Sequence, residues 1–208
     1  MRSLSLPPRC ARPKPAGLAL LRAGVLALTL ALGCAAVLPA PVRAAGQEPA
    51  GIGVERSVKA AFLYKFLGYV EFPAVSLGDV GTPFTVGVSG ADDIAAELTR
   101  ITAGRNVGGR GIVVRVVRDG DALAGLHMLF IGGGEAVRPL HLLRAAQQLG
   151  ILTVTEADNG LQQGSVINFR LVEDRIRFEI SLDAAGKSGL KLSSRLLAVA
   201  YHVRKEVP

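Results

Sequence analysis

The sequence predicts an α/β layered sandwich: a mostly parallel sheet with flanking helices and an antiparallel hairpin near the C-terminus. Three observations predict it. Segments of helical periodicity alternate with short β-branched or apolar runs, in the order α-β-α-β-β-α-β-β-β-α. The run His127–Ile131 is apolar on consecutive positions after its first residue, as in a strand covered on both faces. Two later segments, Ser165–Val172 and Arg175–Leu182, instead alternate between apolar and polar residues and flank Glu173-Asp174, the pattern of a hairpin with a tight turn.

Each element follows from local signals. Residues 45–53 are a Gly/Pro/Ala linker. A first helix is predicted over Val54–Val70, with Val58, Ala61, Phe62, Lys65 (through its stem), Phe66 and Tyr69 on one face and Pro73 as its stop. This stretch holds Phe62, Tyr64, Phe66, Tyr69 and nearby Phe72, half of the ten aromatic residues of the chain. Such density marks the main core helix, with a second aromatic face that meets a partner as the alternative. Phe84–Ser89 is a strand, and Asp92 and Asp93 open a helix over Ile94–Ala103 as cap and first-turn acids. Glycines at 104, 108, 109 and 111 mark a turn before a β-branched strand, Ile112–Val117. A helix over Val137–Leu149 tolerates Pro139 in its first turn and stops at Gly150, ahead of a strand at Ile151–Thr155. A last helix is predicted over Lys191–Val203 from Leu192, Leu196, Val199 and Val203.

Composition bounds the function. Among 208 residues, 50% are hydrophobic and 20% charged, enough to bury a core and too apolar for general disorder. The net charge of +7 is misleading, because residues 1–44 carry six basic residues and no acid. From Ala45 onward eighteen basic residues face seventeen acidic ones, so the body has no nucleic-acid footprint. Residues 1–44 read as a signal peptide. A basic, Pro-containing start leads to an apolar run, Ala23–Leu38, shorter than the roughly 20 residues of a membrane span, and Val42 and Ala44 suit the small-residue positions of a cleavage site. Two alternatives stay open: a retained N-terminal anchor, and lipoprotein processing at Cys34. All three place the body, residues 54–208, outside the cytoplasm. The only cysteines are Cys10 and Cys34, so cleavage after Ala44 leaves no thiol for catalysis or disulfide switching.

No constellation for catalysis stands out, and the chain reads as a non-enzyme that needs no cofactor. His127, His141 and His202 are isolated, without metal-ligand spacing. Ser89 follows a strand, but its surroundings lack the spacing of a nucleophile elbow, and it reads as a turn residue. Gly132, Gly133 and Gly134 lie between a strand and a helix, where backbone N–H groups can cradle an anion. With Ser89 they form the candidate ligand-binding set at the carboxyl ends of the strands; a plain flexible loop is the alternative. Arg175 and Arg177 lie on the polar side of a strand, near Arg170 in sequence. They read as a solvated face or as a basic binding patch.

Three segments together resemble the YfiR-like periplasmic family of Gram-negative bacteria. They are Val58-Lys59-Ala60-Ala61-Phe62-Leu63-Tyr64-Lys65-Phe66 continuing to Tyr69-Val70-Glu71-Phe72-Pro73; Leu152-Thr153-Val154-Thr155-Glu156 with Gly164–Phe169; and Ile176–Ser181 with Gly189–Leu197. The resemblance spans Val54 to Val203. It implies a periplasmic, regulatory, non-catalytic protein that binds the periplasmic domain of an inner-membrane diguanylate cyclase and holds it inactive, lowering cyclic di-GMP and restraining biofilm formation, and it implies a homodimer. Candidate contacts are Tyr64, Tyr69 and Phe72, if exposed, with Arg175 and Arg177. Two features depart from the family pattern. Phe72 stands where a Trp is usual, and the body has no counterpart of the founding member's disulfide, so redox gating does not carry over. A periplasmic small-ligand receptor using the Ser89–Asp93 and Gly132–Glu135 loops is the alternative function.

Overall fold

The computed structural model describes residues 50–79, 81–133 and 139–205. Residues 1–44, read above as a signal peptide, together with Gly134 and Val137, lie outside the described residues. All described residues belong to one unit, Ala44–Pro208.

The chain opens with helix α1 (Ala50–Phe66), then β1 (Val70–Glu71), α2 (Ala74–Leu77), β2 (Phe84–Ser89), α3 (Asp92–Thr102), β3 (Asn106–Val107), β4 (Arg110–Val116) and β5 (Met128–Ile131). It continues with α4 (Pro139–Gln148), β6 (Leu152–Thr155), β7 (Ile167–Val172), β8 (Arg175–Ser181), α5 (Leu182–Lys187), β9 (Lys191–Leu192), α6 (Ser194–Val199) and β10 (His202–Arg204). The main sheet has the order β10-β8-β7-β6-β5-β2-β4-β3, and β1 pairs with β9 in a separate two-stranded ribbon. Neighbours from β4 through β7 are parallel, β8 runs antiparallel to β7, and β10 runs parallel to β8. The layered, mostly parallel sheet with a late antiparallel hairpin is the predicted fold.

Two apolar layers sandwich the central strands. On one side Val86, Val88, Met128, Phe130, Leu152 and Val154 meet α1 and α3. On the other, Leu129 and Ile131 meet Leu142, Leu143 and Ala146 of α4. The alternation along each strand sends successive side chains to opposite layers. Gly87 faces the second layer, where a Cβ would lie 2.7 Å from Leu126 Cδ1 and 2.9 Å from Val117 Cγ2, so glycine is what lets that loop close on the sheet.

The first helix differs from expectation in extent and in face. It begins at Ala50, inside the stretch read as linker, and ends at Phe66. Its fully buried residues are Ala60, Leu63 and Phe66, with Leu67 just past its end, a stripe rotated from the one expected. The segment is apolar nearly all round, so periodicity alone left its orientation open. Phe62 and Phe66 stack on the hairpin: Phe66 lies 5.1 Å from Phe178 and 5.9 Å from Phe169, and Phe62 lies 5.5 Å from Phe178. Asp92 and Asp93 are first-turn acids of α3, but its cap position is Ala91.

The expected helix over Lys191–Val203 does not form. Lys191 and Leu192 pair with β1, α6 is a short helix, and His202–Arg204 is a strand. Serine caps start two short helices here, α5 just before this region and α6 within it. Ser181 Oγ accepts from Ala184 N at the start of α5, and Ser193 Oγ accepts from Leu196 N at the start of α6. Ala200 then adopts an extended conformation, and Tyr201 N donates to Phe178 O, which begins β10. Of the apolar series that suggested one long helix, Leu196 is buried, whereas Val199 is 66% exposed.

His127 is buried between Phe72 and Phe84, its ring 6.0 and 5.1 Å from theirs. Its Nδ1 accepts from Thr85 N, and its Nε2 has no hydrogen-bond partner among the described residues. Burial, then the Arg110 charge, lower its pKa, against a smaller opposing effect of the Leu77 carbonyl.

Two outcomes are expected. Because the folded pKa of His127 lies below the value of about 6.5 in an unfolded chain, the unfolded state takes up the proton first. Stability is therefore full above that pH and falls as pH drops from it toward the folded pKa. Urea midpoints measured across this range should decline for the wild type and decline less for His127→Asn. The hairpin turn holds Glu173 and Asp174 at φ of 50° and 56°, the left-handed region that disfavours both residues. Changing the pair to Asn-Gly should raise unfolding free energy by about 1 kcal/mol in urea titrations.

Candidate functional site

The carboxyl ends of the parallel strands meet α1. The chain leaves β2 for β4 on one side and leaves β5 for β6 on the other, so a switch point lies between β2 and β5, the usual place for a crevice in an open α/β sheet. The loops after these strands carry the candidate ligand-binding residues. Ser89 is buried, and its carbonyl accepts from Gly132 N at 2.8 Å. A Cβ on Gly132 would lie 2.8 Å from both Ala91 Cβ and Gly90 O. The absence of a side chain at Gly132 thus serves the close approach of two loops.

Gly133 is where the anion-cradle expectation meets a specific structure. Its N–H donates to Glu156 Oε1 at 2.9 Å, and Lys59 Nζ donates to Glu156 Oε2 at 2.6 Å. Lys59 also pairs with Glu55, one turn earlier on α1. The carboxylate that sits on the loop amide and an ammonium group therefore comes from the protein itself, at the end of β6. Burial alone would lower the Lys59 pKa, but hydrogen bonds to Glu156 and Glu55, with their charges, outweigh it and the net shift is upward. Further pairs fasten α1 to α3: Arg56 to Asp93 at 3.0 Å and Ser57 to Glu97 at 2.8 Å. Arg100 and Ser57 hold the Glu97 carboxyl down to about 2.

Two polar clefts flank the Lys59–Glu156 bridge. One, of about 300 Å³, reaches Asp158 and Arg170; the other, of about 360 Å³, reaches Gly90, Ala91 and Asp93. A third, more apolar groove of about 880 Å³ lies between the first turns of α1 and the hairpin, against Val54, Val58, Leu171 and Ile176. Among the described residues no group of His, Cys, Asp and Glu is arranged to hold a metal ion.

The candidate partner-binding residues do not form one patch. Tyr64 is half-buried with the Arg105 guanidinium 5.5 Å from its ring centre, and Tyr69 is exposed. Phe72 is 8% exposed and packs against Phe84 and His127, so it is a core residue and not a contact. Arg175 and Arg177 are exposed on β8. Arg175 lines the groove beside Gly51 and Ile52, at the N-terminal end of a helix about 25 Å long, whereas Tyr69 follows its other end. The Glu55–Lys59–Glu156 group escaped sequence reasoning. Its signal was a lysine one turn after a glutamate in a largely apolar helix, and an acid immediately after the apolar β6 run.

The sequence pattern of the YfiR/HmsC-like family matches residues 56–201, from the first turns of α1 to the residue before β10. A search of curated proteins finds no match. Among solved structures, the chain is similar to a conserved domain protein from Vibrio cholerae O1 biovar El Tor, with a TM-score of 0.51 and 12% identity. That match covers 72% of this chain and 60% of the other, and it shows a shared fold.

The Lys59–Glu156 pair is mostly shielded, with 13% and 21% of the two side chains exposed. Lys59→Met should lower unfolding free energy by about 2 kcal/mol, because it strands two carboxylates. In a double-mutant cycle with Glu156→Gln the coupling should reach about 1 kcal/mol, and a value near zero would show the bridge to be incidental. Because the folded Lys59 pKa is raised, its contribution is full below the unfolded pKa of about 10.4 and is lost as pH rises through the folded value.

Proposed function

This chain belongs to the YfiR/HmsC-like family, and on that premise we propose that it represses a membrane-bound diguanylate cyclase by binding the cyclase's periplasmic domain. The family is one of periplasmic regulators in cyclic di-GMP signalling, and the match over residues 56–201 carries the reading. Residues 1–44 serve as the export signal, with lipid attachment at Cys34 as the alternative route to the same compartment. The protein acts as a homodimer. Exposed Tyr69, the accessible part of Tyr64, and Arg175 with Arg177 are the contacts this reading uses.

The mechanism is a population shift. The protein binds the inactive conformation of its partner more tightly and so favours it. For a cyclase otherwise divided evenly, a preference of about a hundredfold, or about 2.7 kcal/mol, leaves about 99% inactive when binding saturates. Such a function asks for a rigid surface and no reactive group. The polar clefts beside Lys59 and Glu156 support a second reading, a receptor for a small polar ligand.

Deleting the gene should raise cellular cyclic di-GMP several-fold, and restoring it should reverse the change. Crosslinking in intact cells should recover a membrane protein with a cyclase domain. Unchanged cyclic di-GMP together with no captured cyclase would reject repression. A thermal-shift screen of small polar metabolites tests the receptor reading, which predicts stabilisation that is lost in Lys59→Met.

A further inference from the structure

β7, β8 and β10 carry the sheet beyond the strands that α4 covers, and the two faces of this extension differ. Phe169, Phe178, Ile180 and Val203 pack into the core beneath α1. By register the alternate positions Arg170, Arg175, Arg177, Glu179, His202 and Arg204 lie on the other face, with Arg175 beside the turn also reaching the groove against α1 and Arg170 the cleft at the strand ends. The inner end of the face is closed by the turns before β7. Asn168 is buried there, and Arg204 donates to Leu161 O at 2.9 Å. Farther out Arg175, Arg177 and His202 are exposed.

This face carries an electrostatic conflict. Arg170 stands directly opposite Arg177, and like charges in that position destabilise a sheet. Asp158 approaches Arg170 at 3.4 Å, but among the described residues Arg175 and Arg177 have no ion pair. The body as a whole is nearly neutral, with eighteen basic and seventeen acidic residues from Ala45 onward, so the positive charge is local to this surface. The neighbouring edge is also open. Tyr201 N donates inward to Phe178 O, so the next N–H, that of His202, points away from β8, and no described strand pairs there.

We propose that this face and edge receive an extended acidic segment of a protein partner, which adds a strand beside β10 and sets carboxylates against Arg175 and Arg177. The proposal rests on the reading of the protein as a binder of another protein, and it names the chemistry of the contact. Backbone pairing to an edge gives affinity, and charge complementarity fixes choice of partner and register. A second copy of the chain fits poorly. Antiparallel pairing about Val203 would place His202 of each copy opposite Arg204 of the other, basic against basic. A membrane surface offers anions but no backbone groups to complete the edge.

The test titrates the purified protein with a fluorescent octapeptide of alternating Glu and Val and with a Lys-Val control, at low and high salt. The Glu-Val peptide should bind, more weakly as salt rises, and the control should not. Combined Arg175→Glu and Arg177→Glu should weaken binding by about tenfold or more. His202→Pro, which removes an outward N–H and leaves pairing to β8 intact, should also weaken it, with the circular dichroism spectrum unchanged in both variants. Equal binding of the two peptides, or unchanged affinity in both variants, would overturn the proposal. So would arginine-dependent binding to phosphatidylglycerol vesicles without peptide binding. Equal capture of a cyclase by wild type and the double arginine variant would overturn this surface and leave repression standing. Peptide binding that passes these controls while no cyclase is captured would support the surface and reject repression.

Discussion

The packing of Phe62 and Phe66 on Phe169 and Phe178 is the contact on which the rest of the structure depends. A parallel sheet with helices on both faces needs no hairpin to complete it, and an antiparallel pair added at its side must find its own partner layer. α1 supplies that layer with Phe62 and Phe66, which meet Phe169 and Phe178 of the hairpin; of the four rings Phe66, Phe169 and Phe178 are almost wholly buried. Aromatic pairs of this kind contribute about 1 kcal/mol each beyond the apolar area they remove from water. The cluster locks the angle of α1 across the strand ends. That angle in turn brings Lys59 over Glu156 and leaves the opposite face of the hairpin free.

Much of this was legible in the residues. The strands around Val86, Val114, Phe130 and Val154 announced themselves by β-branched and apolar runs, and the hairpin by strict alternation about Glu173-Asp174. What escaped was decided by tertiary contact. The direction of α1 was ambiguous because Val58, Ala60, Ala61, Phe62, Leu63, Phe66 and Leu67 leave hardly any polar side; the sheet chose the face. The C-terminal region misled because Leu192, Leu196, Val199 and Val203 repeat like a helix although the Ser193 cap and Ala200 break it into ribbon, short helix and strand. β10 gains its pairing from β8, not from its own three residues. The Lys59–Glu156 bridge joins positions 97 apart in sequence, so only the fold brings it together.

The site illustrates the same division. A glycine-rich turn after an apolar strand suggested an anion cradle, and the geometry contains one, but Gly133 and Lys59 already hold an internal carboxylate. The interior is thus largely self-satisfied, and the functional capacity of the molecule shifts to its surface: clefts beside the bridge and a sheet face with unpaired arginines. A regulator that works by binding has this character. The aromatic cluster fastens α1 to the hairpin, and Arg175 and Arg177 are charges without an ion pair among the described residues.

The most direct measurement is native-state hydrogen exchange followed by residue. If the aromatic cluster makes α1 and the β7–β8 hairpin one cooperative unit, amides around Leu63 and Phe66 and those around Phe178 and Ile180 should open with the same free energy, and Phe66→Leu should lower both by the same amount. Exchange of the hairpin amides at a lower free energy that does not respond to Phe66→Leu would contradict the account.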